Sequence, residues 1–233
     1  MIKLMSSDIN SFINRIDQLI RTFNVIWNKN NMNKLMQPGT RSKGNIKGAA
    51  LLAYTYVETL RYIKGLAKSM SPRNIHNQTF TVELYSSKPF SQYKSSYMVF
   101  ELPKGRRISC LANIYARKIM NLNMDIALTL DTNIYNNIVN WRDIIFFVEC
   151  KYNTIYSQTY ATVVGQRYIV KAGSHWRNVK DALVTAETVS PGVARGNANT
   201  MRTYDPYIVT NMRPSSTGFI RLHRILHDVL KNI

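Results

Sequence analysis

Glu149-Cys150-Lys151 closes the apolar run Asp143-Ile-Ile-Phe-Phe-Val-Glu-Cys-Lys-Tyr152, where a buried strand would ordinarily give way to turn residues. Successive side chains of an extended chain alternate between faces. Glu149 and Lys151 therefore point one way, and Val148 and Cys150 point the other, into a core. Upstream, Asp125 opens a second apolar run, Asp125-Ile-Ala-Leu-Thr-Leu130. One acid from each of two neighbouring strands, with a lysine beside the second, suits a divalent metal and a scissile phosphate. The carboxylates of Asp125 and Glu149 and the backbone carbonyl of Cys150 are hard oxygen ligands for Mg²⁺ or Mn²⁺. The Lys151 ammonium would orient the attacking water, help to deprotonate it, and face the phosphate. The bland alternative is a Glu149–Lys151 pair at a sheet edge, worth only ~0.2–1 kcal/mol if exposed.

The charge of the chain agrees with a phosphate-bearing partner. Its 233 residues carry 31 Lys and Arg against 13 Asp and Glu, a formal net charge of +18. Such a balance in a folded protein points first to nucleic acid and second to an anionic membrane surface. Hydrophobic residues make up 45% and charged residues 19%, so the chain is globular rather than disordered. On so basic a protein every acid weakens attraction to phosphates, and acids at strand ends call for a reason; a metal ion supplies one. Two cysteines, Cys110 and Cys150, make no disulfide framework and suggest a reduced, cytoplasmic protein. The first residues lack the apolar core of a signal peptide, and no stretch approaches the ~20 apolar residues that span a bilayer. The expected partner is DNA, with RNA compatible and no membrane.

The elements that must position these residues follow from periodicity. Ser6-Ser7-Asp8 starts a helical stripe from Ile9 to Trp27, an N-terminal helical segment set within residues 1–36. The remainder, 37–233, reads as the core of what is overall one compact domain. A second helix is expected from about Lys47 to Lys68. Its one acid, Glu58, lies beside Tyr54 and Tyr62 at helical spacing; it is either a tyrosine-paired acid or a further metal ligand. Strands are expected at Phe80–Tyr85, Tyr97–Leu102, 125–130 and 143–151, with Pro103-Lys104-Gly105-Arg106-Arg107 a hairpin turn and 131–140 a polar turn. The cations Lys104, Arg106 and Arg107 suit phosphate contact, as does Arg195 in the small-residue loop Ser190–Arg202. A helix from Gln158 to Ala172, a strand at Tyr207–Thr210 and a final helix with Ser215-Ser-Thr217 at its start complete the order. The fold class is α+β: a central mixed sheet flanked by helices. His223 and His227 lack an HExxH partner and read as surface or interface residues, and Cys150 reads as core.

In this order of elements, Asp125, Glu149 and Lys151 resemble the restriction-endonuclease-like superfamily of PD-(D/E)xK nucleases. Asp125 matches the first acid, Glu149 the second and Lys151 the lysine; Asn123-Met124 stand where the motif name places a proline. The resemblance implies a core of helix, three strands, helix and strand, with Tyr207–Asn211 as the fourth core strand. Gln166 and Arg167 would lie on the helix that carries polar groups to the site. It also implies a Mg²⁺-dependent endodeoxyribonuclease of restriction, resolvase or defence type, and a homodimer. The alternative, which charge alone supports equally well, is a non-catalytic basic nucleic-acid-binding protein. A peripheral membrane or coat protein is a third class, supported by charge only.

Overall fold

The structure, a computed structural model, describes residues 2–5, 43–74, 79–82, 96–117, 122–130, 134, 138–173, 179–194, 206–213 and 216–233. The expected helix from Ile9 to Trp27 and the position Arg195 lie outside these residues. Of the 1–36 segment, Ile2–Met5 is described, as strand β1. Helix α1 spans Lys43–Leu66. Strands β2 (Ser69–Arg73), β3 (Thr79–Val82), β4 (Tyr97–Glu101), β5 (Arg107–Arg117), β6 (Leu122–Leu130), β7 (Ile138–Asn140) and β8 (Ile144–Lys151) follow. Helix α2 (Ser157–Gly173), strands β9 (Lys180–Thr185) and β10 (Tyr207–Val209), and helix α3 (Gly218–Leu230) complete the order.

One eight-stranded sheet runs β10-β9-β8-β6-β5-β4-β2, with β7 paired alongside β5, and β1 pairs separately with β3. The sheet is mixed. From β2 to β8 along the path the pairs are antiparallel, whereas β8, β9 and β10 run parallel. Two corrections to the expected order arise here. The strand that follows α2 and pairs with β8 is Lys180–Thr185, which sequence reading left unassigned, and Tyr207–Val209 lies one place further out. The interval 131–140 is also not all turn, since Ile138–Asn140 pairs in parallel with the end of β5.

Both faces of the sheet are covered, so its central strands are largely apolar on both sides. Ile126, Leu128, Phe146, Val148 and Cys150 join the core cluster formed with α1 and α3. Ala127, Ile144 and Phe147 face the other way, into a second cluster with Trp141 and Val179. A register shift between β6 and β8 at Leu128/Thr129 skips Ile145 in the pairing, and so Ile145 and Phe146 both join the first cluster. From Phe146 onward the alternation is strict. Helix α1 is buried on every side between Leu51 and Leu60, as expected for a helix held between a sheet and a second helix. Gly218, the first residue of helix α3, has no room for a side chain, because a Cβ there would lie 2.6 Å from the Asn211 carbonyl oxygen. No helix among the described residues is long and apolar enough to cross a membrane.

Candidate active site

Strands β6 and β8 part company where the chemistry is concentrated. Their ladder ends at the pair Ile126–Val148, so the next positions, Asp125 and Glu149, stand opposite one another beyond the last bonded pair. Instead of continuing the ladder, Asp125 Oδ2 accepts the Cys150 backbone N–H at 2.6 Å. Period-two alternation places Asp125 with Ala127, and Glu149 and Lys151 with Phe147, on the face away from α1 and α3. Lys151 Nζ donates to Glu149 Oε1 at 2.6 Å; the lysine side chain is 45% exposed and the glutamate 12%.

The electrostatics of this fork are those of two acids confined together. Burial, and next the charge of Glu149, push the Asp125 carboxyl up to about 7 from its ordinary 3.8, against the pull of the Cys150 N–H and Lys151. For Lys151 burial acts downward, but the charge and hydrogen bond of Glu149, with Asp125 behind, leave its pKa raised. The ammonium therefore stays protonated at neutral pH. It donates to Glu149 and can donate to water or phosphate oxygens as well. Burial, then Asp125, raise the Cys150 thiol well above its usual range, and it lies in the core. It is no nucleophile, as expected from its direction.

The donor set fits Mg²⁺ or Mn²⁺ in kind. Two carboxylates that repel one another, with strand carbonyls nearby, match an ion that keeps several waters and uses one or two protein carboxylates. Among the described residues no three His, Cys, Asp or Glu side chains converge closely enough to hold a metal. A third acid, Asp181, shares this face, wholly buried at the register position beside Phe147.

The remaining expected residues are dispersed. Glu58 does not join the fork. It lies on α1, against the other face of the sheet, and its carboxylate meets Arg61 Nη1 at 2.7 Å and His223 Nε2 at 3.4 Å. Thr55, one turn earlier on α1, is the helix residue whose hydroxyl faces the Cys150 thiol. His223 and His227 are interface residues with α1, and the Nδ1 of His227 is 3.1 Å from the Tyr62 hydroxyl. Helix α2 covers the same face as the fork, because its Val163 packs on Leu183, the register partner of Glu149. Gln166, one turn beyond Val163, is half-buried on that helix, and the Arg167 side chain is not among those described. Lys104, Arg106 and Arg107 are exposed in the β4–β5 hairpin, at the far end of the sheet. That end aligns with Leu130, five residues along β6 from Asp125, or about 17 Å at ~3.3–3.4 Å per residue. They are too far from the fork to touch a phosphate placed there, though they can touch a distant part of a long polyanion.

Glu187 is a residue that sequence reading passed over. Its Oε2 accepts from the Thr154 N–H at 3.0 Å and the Thr154 hydroxyl at 3.1 Å. Thr185, register partner of Lys151, donates to the Asn153 carbonyl at 2.8 Å. Together they fix the turn that follows Lys151. Nothing in the local sequence signals this, since the contact joins residues more than thirty apart.

No protein-family model matches the chain, and no curated protein matches it. Among solved structures, protein VC1899 from Vibrio cholerae is similar over 78% of this chain at 10% identity, with a TM-score of 0.39. The chain spans 34% of that protein's length.

Proposed function

We propose that the chain is a metal-dependent nuclease that hydrolyses DNA phosphodiester bonds, on the restriction-endonuclease-like pattern that Asp125, Glu149 and Lys151 resemble. The observation that carries the reading is the fork: two carboxylates opposed across the end of the β6–β8 ladder, with a protonated lysine bonded to one of them. Burying two acids together is unfavourable without a cation, and a divalent ion would offset the repulsion. Asp125, Glu149 and the Cys150 carbonyl would hold that ion; when bound, it supplies Lewis acidity and charge neutralisation at the phosphate. Glu149 holds the Lys151 ammonium by one of its three donors, leaving the others for a phosphate oxygen or a water in line with the scissile bond. The Glu187–Thr154 contact keeps the turn after Lys151 in place, which limits the wandering of the ammonium.

A second reading, non-catalytic binding of nucleic acid, is favoured by two observations. Glu149 and Lys151 already satisfy one another, and no three ligating side chains converge among the described residues. Incubation of supercoiled plasmid with and without Mg²⁺ separates the two. The nuclease reading expects Mg²⁺-dependent nicking or cutting that Glu149→Ala abolishes, while binding of duplex DNA persists. Lys151→Ala should slow cutting by about 10²-fold or more, the usual scale for a positioned catalytic group. Cutting by Glu149→Ala at the wild-type rate would remove the fork from consideration.

A further inference from the structure

At the end of the molecule away from the fork, the β4–β5 hairpin and the C-terminal ends of α1 and α3 enclose a half-open cavity of about 230 Å³. Its walls are apolar: Leu66, Leu102, Pro103, Leu230 and Ile233. Its rim is basic, formed by Lys104, Arg106, His227 and Lys231. The two helix C-termini attract some of this positive charge, and Lys231 is already paired with Asp228 at 2.9 Å. Lys104 and Arg106 come instead from the hairpin, are exposed, and make no ion pair among the described residues. Lys104 stands there in a left-handed conformation, φ 75°, beside Gly105 at the same angle, so the tight turn sets its backbone at the rim.

We infer that this cavity is a docking site for an acidic protein segment that inserts one large apolar side chain between Leu66 and Leu102 and lays its carboxylates on Lys104 and Arg106. Size decides the occupant. The cavity exceeds the about 150 Å³ that accepts one benzene ring, yet falls short of the about 300 Å³ at which pockets for whole small ligands begin. One aromatic or leucine side chain fills such a space, and a single desolvated anchor ringed by polar contacts is how protein interfaces concentrate affinity. Charge decides the company: the basic rim rewards acids on either side of the anchor and rejects a basic segment. Nucleic acid would use the rim and leave the apolar walls wet, so the rim and walls together favour a peptide. The inference stands apart from the nuclease reading, since the fork lies at the opposite end of β6.

The test is fluorescence anisotropy with a labelled heptapeptide carrying a central tryptophan between acidic triplets, at about 150 mM salt to screen diffuse attraction. The full chain should bind it, and should bind the same peptide with alanine for tryptophan at least tenfold more weakly. Lys104→Glu with Arg106→Glu should weaken the tryptophan peptide at least tenfold. Leu66→Gln, at a wall position already 39% exposed and so tolerant of a polar group, should do likewise. Glu149→Ala should leave binding unchanged. Equal binding of the alanine peptide would reduce the site to diffuse charge and overturn the inference. So would absence of binding, or displacement of the peptide by duplex DNA whose own affinity falls in the Leu66→Gln protein.

Discussion

Asp125→Asn is expected to make the metal-free protein more stable at alkaline pH, and the size of the gain follows from the fork. The folded carboxyl has a pKa of about 7 against an ordinary 3.8. A carboxyl raised in the folded state binds its proton more tightly there than in the unfolded chain. Its contribution is therefore fully present below the unfolded value, is lost as pH rises through about 7, and stays lost above it. A difference of roughly 3 units at ~1.4 kcal/mol each sets a ceiling of about 4 kcal/mol at pH 8. Asparagine keeps an oxygen that can accept the Cys150 N–H and carries no charge to oppose Glu149. In EDTA at pH 8 the variant should melt above wild type by on the order of 5–15 °C, given about 2–4 °C per kcal/mol for a chain of this size. The gap should narrow through pH 7 and close near pH 4. Mg²⁺ should then raise wild type and leave the variant unmoved, because only wild type keeps both carboxylates. Thermal denaturation followed by circular dichroism across pH 4–8, with and without Mg²⁺, measures all of this. A variant less stable than wild type at pH 8, or a gap that widens as pH falls, would refute the account of a fork under like-charge strain.

Two further outcomes are expected. Affinity for duplex DNA should fall by about 10³-fold or more between roughly 50 and 200 mM salt in filter binding, since a chain of charge +18 gains much of its affinity from released counterions; Arg106→Ala or Arg107→Ala should weaken all sequences alike, and a flat salt response would point away from nucleic acid. Gly218→Ala should destabilise by about 2 kcal/mol or more in urea unfolding, because the new Cβ would lie 2.6 Å from the Asn211 carbonyl oxygen; a change under about 0.5 kcal/mol would show that the Thr210–Gly218 connection yields easily.

What the sequence made legible was local. The strand carrying Glu149 and Lys151 announced itself through an unbroken apolar run, and period-two geometry then assigned Cys150 to the core and the two charged residues to the other face. Helices α1, α2 and α3 were read to within a few residues from the 3.6-residue stripe. Strand β9 was missed because Lys180-Asp181-Ala-Leu-Val-Thr185 opens with two charges, as a surface loop does. Its Asp181 is in fact wholly buried. The distances between sites needed tertiary knowledge that the sequence does not carry. Glu58 was rightly turned inward, but the stripe does not say which face of the sheet the helix covers. The hairpin cations were rightly set in a turn, yet the turn lies about 17 Å along the strand from Asp125.

On the two proposals made above, that separation divides the charge of this chain between two tasks. At the fork a single lysine stands beside two acids among the described residues, and the proposed divalent ion would balance them. At the hairpin end the cations Lys104 and Arg106 stand free of acidic partners among the described residues, beside apolar walls. A polyanion spanning the molecule would feel both ends, and its affinity would follow the sum of the charges. A ligand small enough to touch one end would not. Asp125→Asn and the Lys104→Glu, Arg106→Glu pair should therefore act additively on any shared polyanion, being farther apart than the about 7–10 Å within which substitutions usually couple. Non-additive effects of the two changes on DNA affinity would mean that the ends communicate through the sheet, and would undo the division drawn here.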